Sequence, residues 1–186
     1  MSMRRDEALV ELSGVTKVYG EGTGMVTGLA DVSLRVGAGE FLGIMGPTGG
    51  GKTTLINLIG GLDRPTRGTV RVADHQLERA PEDVIRLLRR RHIGVVFQAF
   101  NLLPSLSALE NVALPLLADE PTGCLDTRTG AEMVDLLLRA HRLRGVTIIL
   151  VTHDERIATA CTRTVTVADG AIVADRRRPV GSTAGG

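Results

Sequence analysis

Apolar residues in this chain come in short runs separated by polar stretches rather than in one long stripe. Leu9–Leu12, Val32–Val36, Phe41–Met45, Thr69–Val72, Ile93–Phe97, Thr147–Val151 and Thr164–Val167 have the length and apolar content of strands, and several read as buried on both faces. Helical spacing of apolar positions falls between them, at Thr53–Ile59, Glu82–Arg90, Thr129–Arg142 and Glu155–Ala160. Strands alternating with helices in this way predict an α/β layered domain on a mainly parallel core sheet, with the N-terminal strands as an antiparallel β layer. Near the end, Asp169-Gly170 separates Thr164–Val167 from Ala171–Val173 and predicts a hairpin turn. Beyond Asp175 the residues are mainly Arg, Pro, Gly, Ser and Thr, a composition expected of a disordered tail over 176–186.

A chain of 186 residues that is 43% hydrophobic can bury one sizeable core but not two, so 1–175 reads as a single domain. The formal net charge of +1 carries no electrostatic footprint for nucleic acid or an anionic membrane. Two basic runs, Arg89-Arg90-Arg91 and Arg176-Arg177-Arg178, read as a solvated helix face and as part of the tail. Cys124 and Cys161 lack metal-ligand spacing, and a chain of this size needs no disulfide, which fits a reducing, cytoplasmic setting. The N-terminal Met1-Ser-Met-Arg-Arg-Asp-Glu has charge but no apolar segment behind it, which argues against a signal peptide. The longest apolar run, Val146–Val151, is interrupted by Thr147 and falls far below the roughly 20 residues of a membrane helix. Work at a membrane would therefore require another protein to hold the chain there.

The segment Gly46-Pro47-Thr48-Gly49-Gly50-Gly51-Lys52-Thr53 matches the phosphate-loop pattern G-x-x-x-x-G-K-[ST]. It lies between the apolar run Phe41–Met45 and the helical pattern beginning near Thr53, the strand-to-helix setting that the pattern requires. Glycines let successive backbone N–H groups face one anion, and the helix N-terminus adds its positive dipole. Lys52 would carry a mobile positive charge to the terminal phosphates, and the Thr53 hydroxyl would ligate Mg²⁺. Composition argues against a chance glycine-rich turn. The chain holds 20 Arg but only two Lys, Lys17 and Lys52, and Lys52 stands where a fork-shaped guanidinium could not replace a point charge.

A second apolar run, Leu114–Ala118, ends in Asp119-Glu120. At the end of a buried strand the first carboxylate can hold Mg²⁺ through water and the second can activate the attacking water, although an Asp-Glu pair alone is equally a solvated turn. His153 follows Ile148–Val151 and Thr152, so it emerges at the strand edge where doubly wound sheets bind ligands and could contact a γ-phosphate. Gln98 ends Ile93–Phe97 in the same way, with an amide that could reach Mg²⁺ or the lytic water.

With these residues in place the chain resembles an ABC-type ATPase, and within that class the bacterial lipoprotein-releasing and macrolide-exporter ATPases. The resemblance rests on Gly60-Gly-Leu-Asp-Arg-Pro-Thr-Arg-Gly68, Val95-Val-Phe-Gln-Ala-Phe-Asn-Leu-Leu-Pro104, Ala118-Asp-Glu-Pro-Thr-Gly123, Leu125-Asp126 and Val151-Thr-His-Asp154, and runs from about residue 8 to 175. It implies that Tyr19, the one tyrosine of the chain, stacks on adenine and that residues through Thr54 hold the nucleotide. It also implies Gln98 as the residue linking nucleotide state to the membrane partner, Glu120 as catalytic base, Asp126 as the acid of the dimer-facing loop and His153 as the switch histidine. ATP and Mg²⁺ would be the cofactors. The partners would be a transmembrane permease and a second ATPase subunit, as homodimer or heterodimer, placing the chain on the inner face of the cell membrane.

One part of the family pattern is missing. Between Gln98 and Asp119 the family carries a helical subdomain ending in Leu-Ser-Gly-Gly-Gln, whereas here Ser107–Leu117 runs almost directly into Ala118-Asp-Glu. This predicts a truncated helical subdomain, with the domain shortened internally near 105–118 by some tens of residues. The junction carries a conflict: Ser107 and Glu110 form a capping box that starts a helix, while Leu116–Ala118 must extend as a strand directly after Pro115, which has no N–H to donate. A shortened strand and a weakened site around Asp119 are expected. In the family each ATP is clamped between one subunit's phosphate loop and the other's signature sequence, so a homodimer of this chain would hydrolyse slowly or not at all. Three readings follow: an ATPase subunit of a transporter, an ATP-binding module without useful turnover, and a small-molecule kinase. The Asp119-Glu120-Pro121-Thr122-Gly123 run with His153 fits the third poorly.

Overall fold

A computed structural model describes residues 8–92, 94–96, 116–119, 127–153 and 155–178. Four strands form an antiparallel sheet in the order β2-β1-β4-β5, namely β1 (Ala8–Tyr19), β2 (Val26–Gly37), β4 (Arg67–Val72) and the short β5 (His75–Gln76). The remaining six form the core sheet in the order β10-β9-β3-β8-β7-β6, from β3 (Phe41–Met45), β6 (Gly94–Val96), β7 (Leu116–Asp119), β8 (Ile148–Val151), β9 (Arg163–Ala168) and β10 (Ala171–Arg177). Its pairs are parallel except the β9–β10 hairpin at the edge. The described helices are α1 (Lys52–Ile59), α2 (Glu82–His92), α3 (Thr127–Arg144) and α4 (Glu155–Ala160). The chain is thus an α/β layered fold, with a mainly parallel core sheet and an N-terminal antiparallel layer, as the periodicity predicts.

Successive residues of the core strands point to opposite faces, and in β3 and β8 both faces are buried. Leu42, Ile44, Ile149, Val151, Val165 and Val167 join the interior made by α1 and the antiparallel sheet. Their neighbours Phe41, Ile148 and Leu150 join Leu137 of α3 with Ile157 and Cys161 at α4. The nearly unbroken apolar content of β3 and β8 follows from this two-sided burial.

Strands β1 and β2 are each 12 residues long, well beyond Leu9–Leu12 and Val32–Val36. Only part of each is apolar, but β1 pairs with β2 along its whole length and with β4 on its other side, so the ladder satisfies backbone groups of the polar segments as well. Asp169 and Gly170 both have positive φ, 50° and 75°, as a primed hairpin turn requires. The tail boundary needs correction. β10 continues to Arg177, with Arg176 and Arg177 paired to Thr164 and Arg163, because Asp175 is held by Arg163. Arg163 is almost fully buried and grips both carboxylate oxygens of Asp175 at 2.6–2.7 Å, while donating to the Arg35 carbonyl at 2.6 Å and to Glu40 at 3.2 Å. That guanidinium joins β9 and β10 to the antiparallel sheet. Residues 179–186, the helix start at Ser107 and the junction at Pro115 lie outside the described residues.

Candidate functional site

The phosphate-loop segment leaves the end of β3 and enters α1. Gly46 has φ 136°, and a Cβ there would lie 1.9 Å from the Val167 carbonyl oxygen, so no side chain fits against β9. Gly51 has φ 106°, and its Cβ would lie 2.5 Å from the Gly28 carbonyl oxygen. At these two positions the loop packs backbone to backbone. Gly51 is also the N-cap of α1 and, as a glycine, brings no side-chain oxygen of its own to the helix start. A short backbone relay sets the loop's position. The Gly50 N–H donates to the Pro47 carbonyl at 3.1 Å, Gly170 donates to the Gly50 carbonyl at 3.0 Å, and Ala30 donates to the Gly170 carbonyl at 2.8 Å.

Lys52 turns back over the loop. Its ammonium donates to the carbonyl oxygens of Gly46 at 2.9 Å and Pro47 at 2.7 Å, and the residue is 8% exposed. A positive charge, a helix N-terminus and glycines in left-handed conformations therefore converge on one segment suited to a polyphosphate.

Three strand ends meet beside it. Val151 is in register with Ile44 on one side and Asp119 on the other, so β3, β8 and β7 finish at the same level. The Thr152 N–H donates to the Ile44 carbonyl at 3.1 Å and extends this row by one residue. His153 follows and is exposed. The backbone thus brings the phosphate loop, Asp119 and His153 to one edge of the sheet. Leu116–Asp119 does extend as a strand between β6 and β8 and is four residues long, despite Pro115 immediately before it. Thr53 and Thr54 lie in the first turn of α1. Gln98, Glu120 and Asp126 lie outside the described residues.

Tyr19 ends β1, is 38% exposed, and its hydroxyl donates to Thr54 Oγ1 at 3.4 Å. A Cβ on Gly28 would lie 2.8 Å from the Tyr19 ring and 2.9 Å from Thr54 Oγ1, so a glycine is needed for the ring to lie against α1. The sequence singles out neither Gly28 nor two charged neighbours, Lys17 and Asp63. Lys17 lies two residues before Tyr19, on the same face of β1, with its ammonium 4.9 Å from the ring centroid and 2.6 Å from Asp63 Oδ1. The rarity of lysine in this chain and the strand period of two were the available signals. Burial pushes the Asp63 carboxyl up, but hydrogen bonds from Lys17 and the Arg64 N–H outweigh it and hold the group below its ordinary value.

A family model described as ABC transporter matches residues 29–177. The chain belongs to the ABC transporter family. The lipoprotein-releasing system ATP-binding protein LolD of Anaeromyxobacter dehalogenans is 40% identical over 222 residues, covering 89% of this chain and 93% of that protein. The macrolide export ATP-binding/permease protein MacB 1 of Aeromonas hydrophila is 36% identical over 227 residues, covering 92% of this chain but 35% of that protein, so this chain spans about a third of the exporter's length. Among solved structures, a dimeric ATP-binding cassette in a post-hydrolysis state bound to ADP and Pi is 31% identical, with TM-score 0.80, covering 90% of this chain and 98% of its own. Because 89% of 186 residues is about 166, roughly 56 of the 222 positions aligned with LolD have no residue here. The MacB 1 alignment leaves a similar remainder, since 92% of 186 is about 171 of 227. Among the described residues no helix is long and apolar enough to cross a membrane.

Proposed function

We propose that this chain binds Mg-ATP as the nucleotide-binding subunit of an ABC transporter and drives export through a partner permease. The observation that carries the reading is the loop at 46–53, where the buried Lys52 ammonium, from the first residue of α1, rests on two loop carbonyls. A triphosphate would offer Lys52 charged oxygens in place of neutral carbonyls, and charge-assisted hydrogen bonds are about twice as strong. Gly49 and Gly51 would present backbone N–H groups to the phosphates, and Tyr19 would take the adenine.

The Thr53 hydroxyl at the start of α1 and Asp119 at the end of β7, joined by the Gln98 amide, would supply oxygen donors suited to a hard cation. Bound Mg²⁺ would neutralise charge on the terminal phosphates. Glu120, next to Asp119 in sequence, would accept the proton of the attacking water, and His153 would contact the γ-phosphate. Two such subunits, identical or not, would close over two ATP molecules on the inner face of the membrane and move the permease as they close and reopen.

A second reading has its own support. The roughly 56 positions of each relative without a counterpart here, with no Leu-Ser-Gly-Gly-Gln in the chain, favour an ATP-binding module without useful turnover on its own. A heterodimer with an intact subunit would still complete the site built on Lys52. Mg-ATP turnover by the purified chain, with Lys52→Ala and Glu120→Gln beside it, separates the two readings. Turnover lost in both variants supports hydrolysis. Binding without turnover, lost in Lys52→Ala and not raised by mixing with an intact homologous subunit, supports the module. Absence of ATP binding would sink both.

A further inference from the structure

Lys17 occupies a position that the phosphate site does not explain. Its ammonium has three tetrahedrally arranged donors. One meets Asp63 Oδ1 at 2.6 Å, another the Arg64 carbonyl at 2.9 Å, and the charge lies 4.9 Å from the centroid of Tyr19. Its side chain is 14% exposed, so the contact is largely shielded from water. In a chain with 20 Arg and two Lys, this position holds one of the two lysines, a compact ammonium whose donors turn on a flexible stem.

Asp63 ties this arrangement to the helix that starts at the phosphate loop. Its backbone N–H and that of Leu62 both reach the Asn57 carbonyl in α1, at 3.3 and 2.9 Å, and its carboxylate also accepts from the Arg64 N–H at 2.7 Å. The same loop is joined to β1 from the other direction, with Thr66 N–H donating to the Thr16 carbonyl at 2.8 Å and Val18 N–H to Thr66 Oγ1 at 3.0 Å. Lys17 therefore bridges the strand that carries the aromatic ring and the helix that carries the phosphate-binding residues.

We propose that Lys17, anchored by Asp63, is a positioning residue for base recognition, holding one face of the Tyr19 ring so that the other is presented, already oriented, to a purine. The inference rests on the reading that Tyr19 receives the adenine of ATP. A ring gripped by a cation on one face loses its rotamer freedom before the ligand arrives, so stacking no longer has to order it. The pair acts on the base and not on the phosphates, which Lys52 and the loop hold independently.

That division supplies the test. Isothermal calorimetry compares Mg-ATP with Mg-tripolyphosphate, a probe with the phosphates but no base, on the full chain and on Lys17→Met and Asp63→Asn. Methionine keeps the apolar stem of lysine, and a melting curve of each variant checks its fold. The expected result is that both substitutions weaken ATP about three- to tenfold and leave tripolyphosphate within about twofold of the unmodified chain. Because the chain has one Tyr and no Trp, its intrinsic emission reports Tyr19 alone, and ATP but not tripolyphosphate should change it. Equal weakening of both probes would reduce Lys17 to a structural role, and unchanged ATP affinity in both variants would overturn the proposal. An unmodified chain that binds tripolyphosphate as tightly as ATP would also overturn it while leaving the phosphate site standing. Failure to bind either probe would overturn the function proposed above and this inference with it.

Discussion

The backbone N–H of Gly170 donates to the carbonyl of Gly50 at 3.0 Å, so the hairpin turn between β9 and β10 is bonded to the phosphate loop. A turn some 120 residues further along the chain thereby becomes part of the nucleotide site's support. Gly46 is held against the same hairpin, with Val167 filling the space that its Cβ would need.

Two glycine substitutions in the loop should therefore behave differently. Gly49→Ala meets no atom within 4 Å and adds only the strain of an alanine at φ 78°, about 1–2 kcal/mol, which lowers the melting temperature by several degrees. Gly46→Ala adds a clash with the Val167 carbonyl and should lower it further and abolish nucleotide binding. Paired thermal melts check this, and equal shifts for the two would contradict the packing.

Lys52→Met should remove the stabilisation that Mg-ATP confers. At about one hundred times its Kd, a ligand specific for the folded state adds about 2.7 kcal/mol. Thermal melts with and without Mg-ATP should differ for the unmodified chain and coincide for the variant. A variant still protected by ATP would show that Lys52 does not reach the phosphates.

The Arg163–Asp175 pair sets an acid limit on stability. The bidentate hydrogen bond from Arg163 holds the Asp175 carboxyl below its ordinary range, so the carboxylate is favoured in the folded chain. Its contribution is present above the unfolded aspartate value of about 4 and is lost as pH falls through the lower folded value. Asp63 carries the same sign through Lys17. Asp175→Asn should cost about 1–3 kcal/mol near neutrality, because it leaves the buried Arg163 poorly matched, and should flatten the fall in stability below about pH 4. Urea unfolding at a series of pH values measures both, and an unchanged acid limb in the variant would remove Asp175 from the account.

Cys161 should resist alkylation in the folded chain. It is 2% exposed, and burial pushes its thiol up to about 12, so thiolate is scarce at pH 8. Iodoacetamide followed by peptide mapping should label Cys161 only once urea unfolds the protein. Rapid labelling under native conditions would mean that the packing of α4 against β3 opens readily.

Strands β3 and β8 were legible because both of their faces are buried and their residues are accordingly apolar, and β9 because its buried Val165 and Val167 alternate with threonines. The ends of β1 and β2 were not, because backbone pairing rather than side-chain burial extends them through polar residues. The strand at Leu116–Asp119, expected to be shortened, pairs with β8 over four residues and with β6 over three. The tail boundary at Asp175 fell two residues short, since an arginine run reads as solvated until the partner of Asp175 is known.

By itself the sequence determined the phosphate loop, its strand-to-helix setting and the family, because those depend on glycines, one lysine and local spacing that no distant contact can supply. Only the tertiary structure decided what backs the loop and what lies beside Tyr19. Val167 and Gly170 reach the loop through β-pairing across the sheet, and Lys17 reaches Asp63 across 46 residues of chain. Such contacts depend on how strands are ordered, and strand order is set by the burial of the whole core rather than by any short segment.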